Sequence, residues 1–201
     1  MPNVFLTADE HHGHHNINRL CDRPFETSEH ATAEIVRRHN KVVGPGDLTF
    51  HLGDFWFGPR DNGRMAETVT SLNGEHVLVL GNHDRASVTE TNGWAHQRSY
   101  LDAGFTAVVD VATLTLPAVK ASATPRRVLL SHFPYTADHM DNARYNQFRV
   151  RDEGRWLIHG HVHNLYTVRQ RGVNVGVDVW DFTPVNVHEV ARLIADTEAG
   201  T

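Results

Sequence analysis

Five short apolar runs in this chain each end in side chains able to hold a metal ion. Val4 to Ala8 leads into Asp9-Glu10-His11, Leu48 to Leu52 into Gly53-Asp54, and Val77 to Leu80 into Gly81-Asn82-His83-Asp84. Val128 to Leu130 leads into Ser131-His132, and Trp156 to Ile158 into His159-Gly160-His161-Val162-His163. Each run is bounded by Gly, Pro, Asn or Asp, and most are apolar on both faces, the pattern of strands covered on both sides. Ligands of open α/β sheets bind in the crevice outside the carboxyl ends of the strands. The pattern therefore predicts a layered α/β domain whose polar site gathers at one edge. Asp9 and His11 are two residues apart, as are His161 and His163, so each pair can project to one side of an extended chain.

Further strands are expected at 105–109, 111–116, 166–168 and 173–177, and an exposed loop over 117–127, which is rich in Ala, Ser and Thr. Helices fall between the early strands. Over 29–43, Ala31, Ile35 and Val42 share a face and Gly44-Pro45 ends the helix. Over 62–72, Met65, Val69 and Leu72 align ahead of Gly74, and over 186–197, Val187, Val190, Ala191 and Ile194 align. Alternation early and successive strands late point to a mixed sheet or two sheets.

The polar residues at the strand ends make seven donors: Asp9, Asp54, Asn82, His11, His132, His161 and His163. One cation cannot use all seven and keep a position for substrate. Two cations sharing one carboxylate can, each with four protein ligands. Imidazole and carboxylate without thiolate suit Mn, Fe, Zn, Co or Ni and disfavour Mg alone, with Mn favoured. Two such cations ~3.5–4 Å apart are the arrangement that stabilises attacking and leaving oxygens of a phosphoryl displacement.

Asp9-x-His11, Gly53-Asp54, Gly81-Asn82-His83-Asp84, His132 and Gly160-His161-x-His163 resemble the five ordered motifs of the calcineurin-like metallophosphoesterase superfamily. Gly13-His14-His15-Asn16, Arg23-Pro24-Phe25 and 174–178 (NVGVD) are similar to its small bacterial and phage members. The resemblance implies one domain over residues 1–201, an αββα sandwich of two mixed β-sheets flanked by helices. It implies that Asp9, His11 and His163 hold a first divalent metal, that Asn82, His132 and His161 hold a second, and that Asp54 bridges them. It also implies hydrolysis by a hydroxide held between the metals. His83 would stand over the site as the catalytic acid and Asp84 would orient it through a hydrogen bond. His14 and Arg85 are candidate substrate contacts, and Trp56 and Phe57 flank the mouth or anchor their loop.

Departures narrow the branch. Phe55-Trp56-Phe57-Gly58 follows Gly53-Asp54 where the Ser/Thr protein phosphatases carry xxDRG, and Asp84 stands where they carry Glu. The expected substrate is a small phosphodiester, nucleotide and cyclic nucleotide diesters included. A phosphomonoesterase or nucleotidase, a short-strand nuclease and a non-catalytic scaffold of the same fold are the competing classes. A net charge of −5 argues against a broad nucleic-acid surface. One cysteine among 201 residues excludes an internal disulfide framework and fits a reducing, cytoplasmic setting, a host's if the gene is a phage's. No membrane partner is expected, and the oligomeric state stays open. The remaining histidines read as solvated or structural: His12 and His39 at the surface, His76 at a strand edge, and His51 and His159 as filling.

Overall fold

The computed structural model describes residues 2–58, 62–119, 124–136, 138 and 144–200. In chain order the strands are β1 (Val4–Thr7), β2 (Leu48–His51), β3 (Glu75–Val79), β4 (Ala107–Val109) and β5 (Val111–Leu116). They continue with β6 (Arg126–Ser131), β7 (Leu157–His159), β8 (Val168–Arg169), β9 (Gly172–Asn174) and β10 (Val185–Asn186). The helices are α1 (Ile17–Leu20), α2 (Ser28–Val42), α3 (Asn62–Ser71), α4 (Gln97–Ala103) and α5 (Val187–Ala199). Residues 120–123 of the loop expected over 117–127 lie outside the described residues.

Two five-stranded sheets form, in the orders β10-β1-β2-β3-β4 and β5-β6-β7-β9-β8. β1 to β4 run parallel, and β10 closes the edge antiparallel to β1. In the second sheet β6, β7 and β9 are parallel, with β5 and β8 antiparallel at the edges. Parallel pairing needs crossover connections and cover on both faces, which is why these strands read as continuous apolar runs. Leu6, Leu52 and Val79 of the first sheet meet Val128, Leu130, Ile158 and Val173 of the second, all buried. α5 adds Val187, Val190, Ala191 and Ile194 to the same core. On the outer face of the first sheet, Met65 and Val69 of α3, Leu72 just after it, and Tyr100 and Ala103 of α4 cover Leu78, Leu80 and Phe105. The expected αββα sandwich of two mixed sheets is the fold observed. Among the described residues no helix is long and apolar enough to cross a membrane.

The differences from expectation have local causes. α1, α4 and β10 are too short to impose a period on the sequence. α2 begins at Thr27, whose hydroxyl caps it by accepting the His30 amide at 3.0 Å. Its buried face is Ala31, Ile35 and His39, while Val42 is 40% exposed. The i, i+4, i+8 stripe that packs on the sheet passes through the histidine and leaves Val42 to one side.

His12, His39, His51 and His76 are all buried, against the surface or edge positions expected for three of them. β2 turns Phe50 toward the core between the sheets, so alternation turns His51 toward α2. There His51 Nδ1 lies 2.5 Å from Glu10 Oε1, and its Nε2 lies 3.1 Å from His76 Nδ1. His39 stacks above His51 and bonds the Asn73 carbonyl at 3.0 Å through Nε2. Burial pushes the His51 and His76 imidazoles down to about 3 and that of His39 to about 4.

The folded His39 pKa lies below the ordinary 6.5, so the unfolded chain takes up this proton first. Stability contributed by His39 is present above about pH 6.5 and is lost as pH falls toward 4. The stability advantage of the wild type over His39→Gln, followed by urea unfolding, should therefore shrink between pH 7 and 4. A gap that widens on acidification would contradict this placement.

Candidate metal centre

Residues just beyond the strand ends build the site. β1 stops at Thr7, so Asp9 and His11 lie past the strand, and the pleat does not aim them. Asp9 (φ 58°), His11 (φ 52°), Asp54 (φ 56°), His161 (φ 74°) and His163 (φ 46°) are instead left-handed. Residues other than glycine seldom adopt that conformation, Asp and His more readily than most, and such strain concentrates at functional sites. The turns are stitched together: Asp9 N–H donates to the Gly53 carbonyl at 3.0 Å and His11 N–H to that of Asp54 at 2.9 Å. His161 N–H crosses from the second sheet to Asp9 Oδ2 at 2.8 Å. Gly53 (φ +92°) allows this packing, because a Cβ there would sit 2.6 Å from both the Gly81 backbone and His132 Nδ1.

Ligand atoms of Asp9, His11 and His163 lie within 4.8 Å of one another, and so do those of Asp9, Asp54 and His132. Asn82 joins the second group, its Oδ1 3.1 Å from His132 Nε2. The His161 ring centroid is 5.1 Å from that of His132. All seven expected donors thus come together. Asp54 stands between the groups: its Oδ1 accepts the His83 amide at 2.8 Å, and its Oδ2 lies 3.5 Å from both His11 Nε2 and His132 Nε2. That is roughly the spacing of two ligands each ~2.1 Å from a shared tetrahedral cation. Asp9 also enters both groups, which the sequence had not suggested.

The electrostatics fit divalent cations. Burial pushes the Asp9 carboxyl up to about 7. Burial and the neighbouring Asp84 and Asp9 push Asp54 well above the carboxylate range. Burial likewise holds His11 and His132 neutral, well below the usual imidazole value. The two His11 ring nitrogens are buried with no hydrogen-bond partner among the described residues. His132 is oriented by its Nδ1, 2.8 Å from the Leu52 carbonyl, which leaves Nε2 a lone pair for a metal. Buried carboxyls pushed toward neutrality beside neutral imidazoles form a donor set that divalent cations would complete.

His83 is exposed above this set, its ring centroid 5.3 Å from that of His11 and 4.9 Å from Phe57. Asp84 corrects the expectation. Its described hydrogen bonds run to the backbone and not to the His83 ring: Oδ2 accepts the Gly81 and Asp54 amides at 2.8 and 2.9 Å, and Oδ1 the Phe55 amide at 3.2 Å. Asp84 therefore fixes the loop that carries Asp54. His14 lines the cleft in front of the donors, but Arg85 is not among its lining residues, and Arg144 supplies a guanidinium there instead. The Arg85 amide donates to the Tyr100 hydroxyl at 2.9 Å.

Arg23 and Asp138 were assigned no role from the sequence. Arg23 is buried and binds Asp178 through two bonds of 2.7 and 3.0 Å. It also donates to the Asp9 and Glu10 carbonyls at 2.7 and 3.0 Å. Asp178 in turn lies 3.2 Å from His163 Nδ1. Burial opposes charge on His163, but Asp9, Asp178 and Cys21 outweigh it and raise its pKa well above the ordinary value. Asp138 Oδ1 lies 3.3 Å from His161 Nε2. The signal for Arg23 and Asp178 was present only as two phrases 155 residues apart, with nothing to pair them.

No protein-family model matches the chain. It is 34% identical to the Gene 66 protein of Mycobacterium phage D29 over the full length of both. It is 31% identical to the Gene 66 protein of Mycobacterium phage L5, over 90% of this chain and 88% of that protein. A protein of unknown function from Aquifex aeolicus has a solved structure that superposes with a TM-score of 0.70 at 25% identity. The match covers 96% of this chain and all of that one.

The Arg23–Asp178–His163 series carries an expectation of its own. Asp178→Asn should keep the fold and weaken one of the two Mn²⁺ binding steps that the seven donors would allow by about 10–100-fold, while sparing the other. Calorimetric titration of the metal-free protein checks it. Unchanged affinity at both steps would remove Asp178 from the support of the site.

Proposed function

The chain belongs to the family of the mycobacteriophage Gene 66 proteins, and we propose that it is a binuclear metal-dependent phosphoesterase of the calcineurin-like kind. The observation that carries this reading is Asp54 Oδ2, 3.5 Å from one imidazole of each donor group. A carboxylate so placed would serve two cations at once. Asp9, His11 and His163 would hold one, Asn82, His132 and His161 the other, with Asp54 between them. When bound, two such cations would supply Lewis-acid charge for the phosphoryl oxygens and acidify water for the attack.

The chain's own groups do the rest. The His83 amide holds Oδ1 of Asp54 and leaves Oδ2 directed at both groups. The Asp84 carboxylate pins the Gly81 and Asp54 amides, so the two loops keep their spacing. The exposed His83 ring can reach a substrate without joining the buried ligand set, and it gives a proton to the ester oxygen that leaves. The substrate proposed is a small phosphodiester, with nucleotide diesters, cyclic ones included, favoured because an alkoxide leaving group needs such a proton. The setting proposed is cytoplasmic, a host's cytoplasm if the gene is a phage's, and the phage origin of two of the relatives supports the latter.

Two variants separate the roles. Asp54→Ala should lose metal occupancy and turnover together. His83→Ala should retain both metals and lose turnover by roughly 10²–10⁴-fold, with a smaller loss for p-nitrophenyl esters. Metal analysis alongside single-turnover rates reads both, and a metal lost from His83→Ala would overturn its role.

Substrate preference is tested by kcat/KM for bis-p-nitrophenyl phosphate against p-nitrophenyl phosphate at one Mn²⁺ concentration. An advantage for the diester is expected. An advantage for the monoester would reassign the protein as a phosphomonoesterase and leave the metal centre standing.

A further inference from the structure

The donor set opens into a cleft of about 500 Å³, within the range of small-molecule sites. One side of it is apolar. Ile17 and Val162 are buried at its base, and Leu20 and Leu165 stand on its rim 63% and 55% exposed. The two leucines come from segments tied together by the Asn164 side-chain amide, which donates to the Cys21 carbonyl at 3.2 Å. On the His14 and His83 side lies Phe57, itself 43% exposed, with its ring centroid 4.1 Å from that of His14. Scattered exposed hydrophobes are ordinary on any protein. Here two of the large ones line a single polar cleft, and the third, Phe57, packs on His14 and His83, which line it, next to the atoms that would hold a phosphate.

We propose that this apolar rim is a seat for the organic part of the substrate: Leu20 and Leu165 on one side and Phe57 on the other grip a flat aromatic group carried by the phosphoester. The inference rests on the phosphoesterase reading and adds a substrate class to it. Branched aliphatic and aromatic side chains both pack against the face of a flat ring, and aromatic platforms hold nucleobases without reading their identity. A polar alcohol such as glycerol gains nothing from such a rim and leaves the leucines in water. The protein therefore selects aryl and nucleoside phosphoesters over small hydrophilic ones. Trp94, 76% exposed but absent from the cleft lining, provides a control for exposed apolar surface in general.

Phosphonates test this without turnover, because their carbon–phosphorus bond is not a substrate for ester hydrolysis. Calorimetry on the Mn²⁺-loaded protein should show phenylphosphonate binding about tenfold or more tightly than methylphosphonate. The ratio should fall toward one in Leu20→Asn/Leu165→Asn and in Phe57→Ser, and should persist in Trp94→Ser. Equal binding of the two phosphonates by the wild type, or a ratio unchanged in the rim variants, would overturn the seat and leave the phosphoesterase reading intact. Failure of the metal-loaded protein to bind either phosphonate would overturn both.

Discussion

Two carboxylates at the junction of the sheets, Asp9 and Asp54, set the terms for the rest of the structure. Both are almost fully buried, and both are pushed toward neutrality by that burial. Isolated buried charge is costly unless it is paired or coordinates a metal. The Asp9 carboxylate also accepts the His161 amide, so the group that needs a cation is the one that fastens the loop after β7 to the loop after β1. In the proposed centre, folding of the two loops and capture of metal would thus be linked through the same oxygens.

The left-handed turns follow from this arrangement. A strand delivers side chains alternately to its two faces, and an extended strand end could present only one ligand of a close pair to a shared point without a wide span. Turning Asp9, His11, His161 and His163 into the left-handed region draws Asp9, His11 and His163 to one point and His161 toward His132. The strain is held by the packing that surrounds it. Arg23 clamps the Asp9 and Glu10 carbonyls, Asp84 clamps the amides of the neighbouring loop, and the glycines at 53 and 160 leave no side chain to block the approach.

The fold was legible because apolar runs on both faces demand covered strands, and the runs beginning at Val4, Leu48, Val77, Val128 and Trp156 meet that demand. The seven donors were legible because each ends such a run. What the sequence concealed was pairing at long range. Arg23 and Asp178 meet only through the tertiary fold, and Asp84 spends its carboxylate on amides that belong to another strand end. His39 looked solvated because its helix carries charged neighbours, and only the docking of α2 over His51 and His76 buries it. Arg144 could not be separated from other surface arginines until its loop was placed beside the cleft, whereas Arg85 was adjacent in sequence to His83-Asp84 yet does not line the cleft.

Cys21, His163 and Asp178 form a further group of ligand atoms within 4.8 Å of one another, which places His163 between two candidate groups. The buried Arg23 guanidinium beside Asp178 opposes a cation there. The most direct measurement is anomalous diffraction at the manganese edge from crystals soaked in Mn²⁺. Two peaks flanking Asp54, one among Asp9, His11 and His163 and one among Asn82, His132 and His161, are the predicted result. A single peak, or one between Cys21 and Asp178 with none at Asp54, would contradict the binuclear centre.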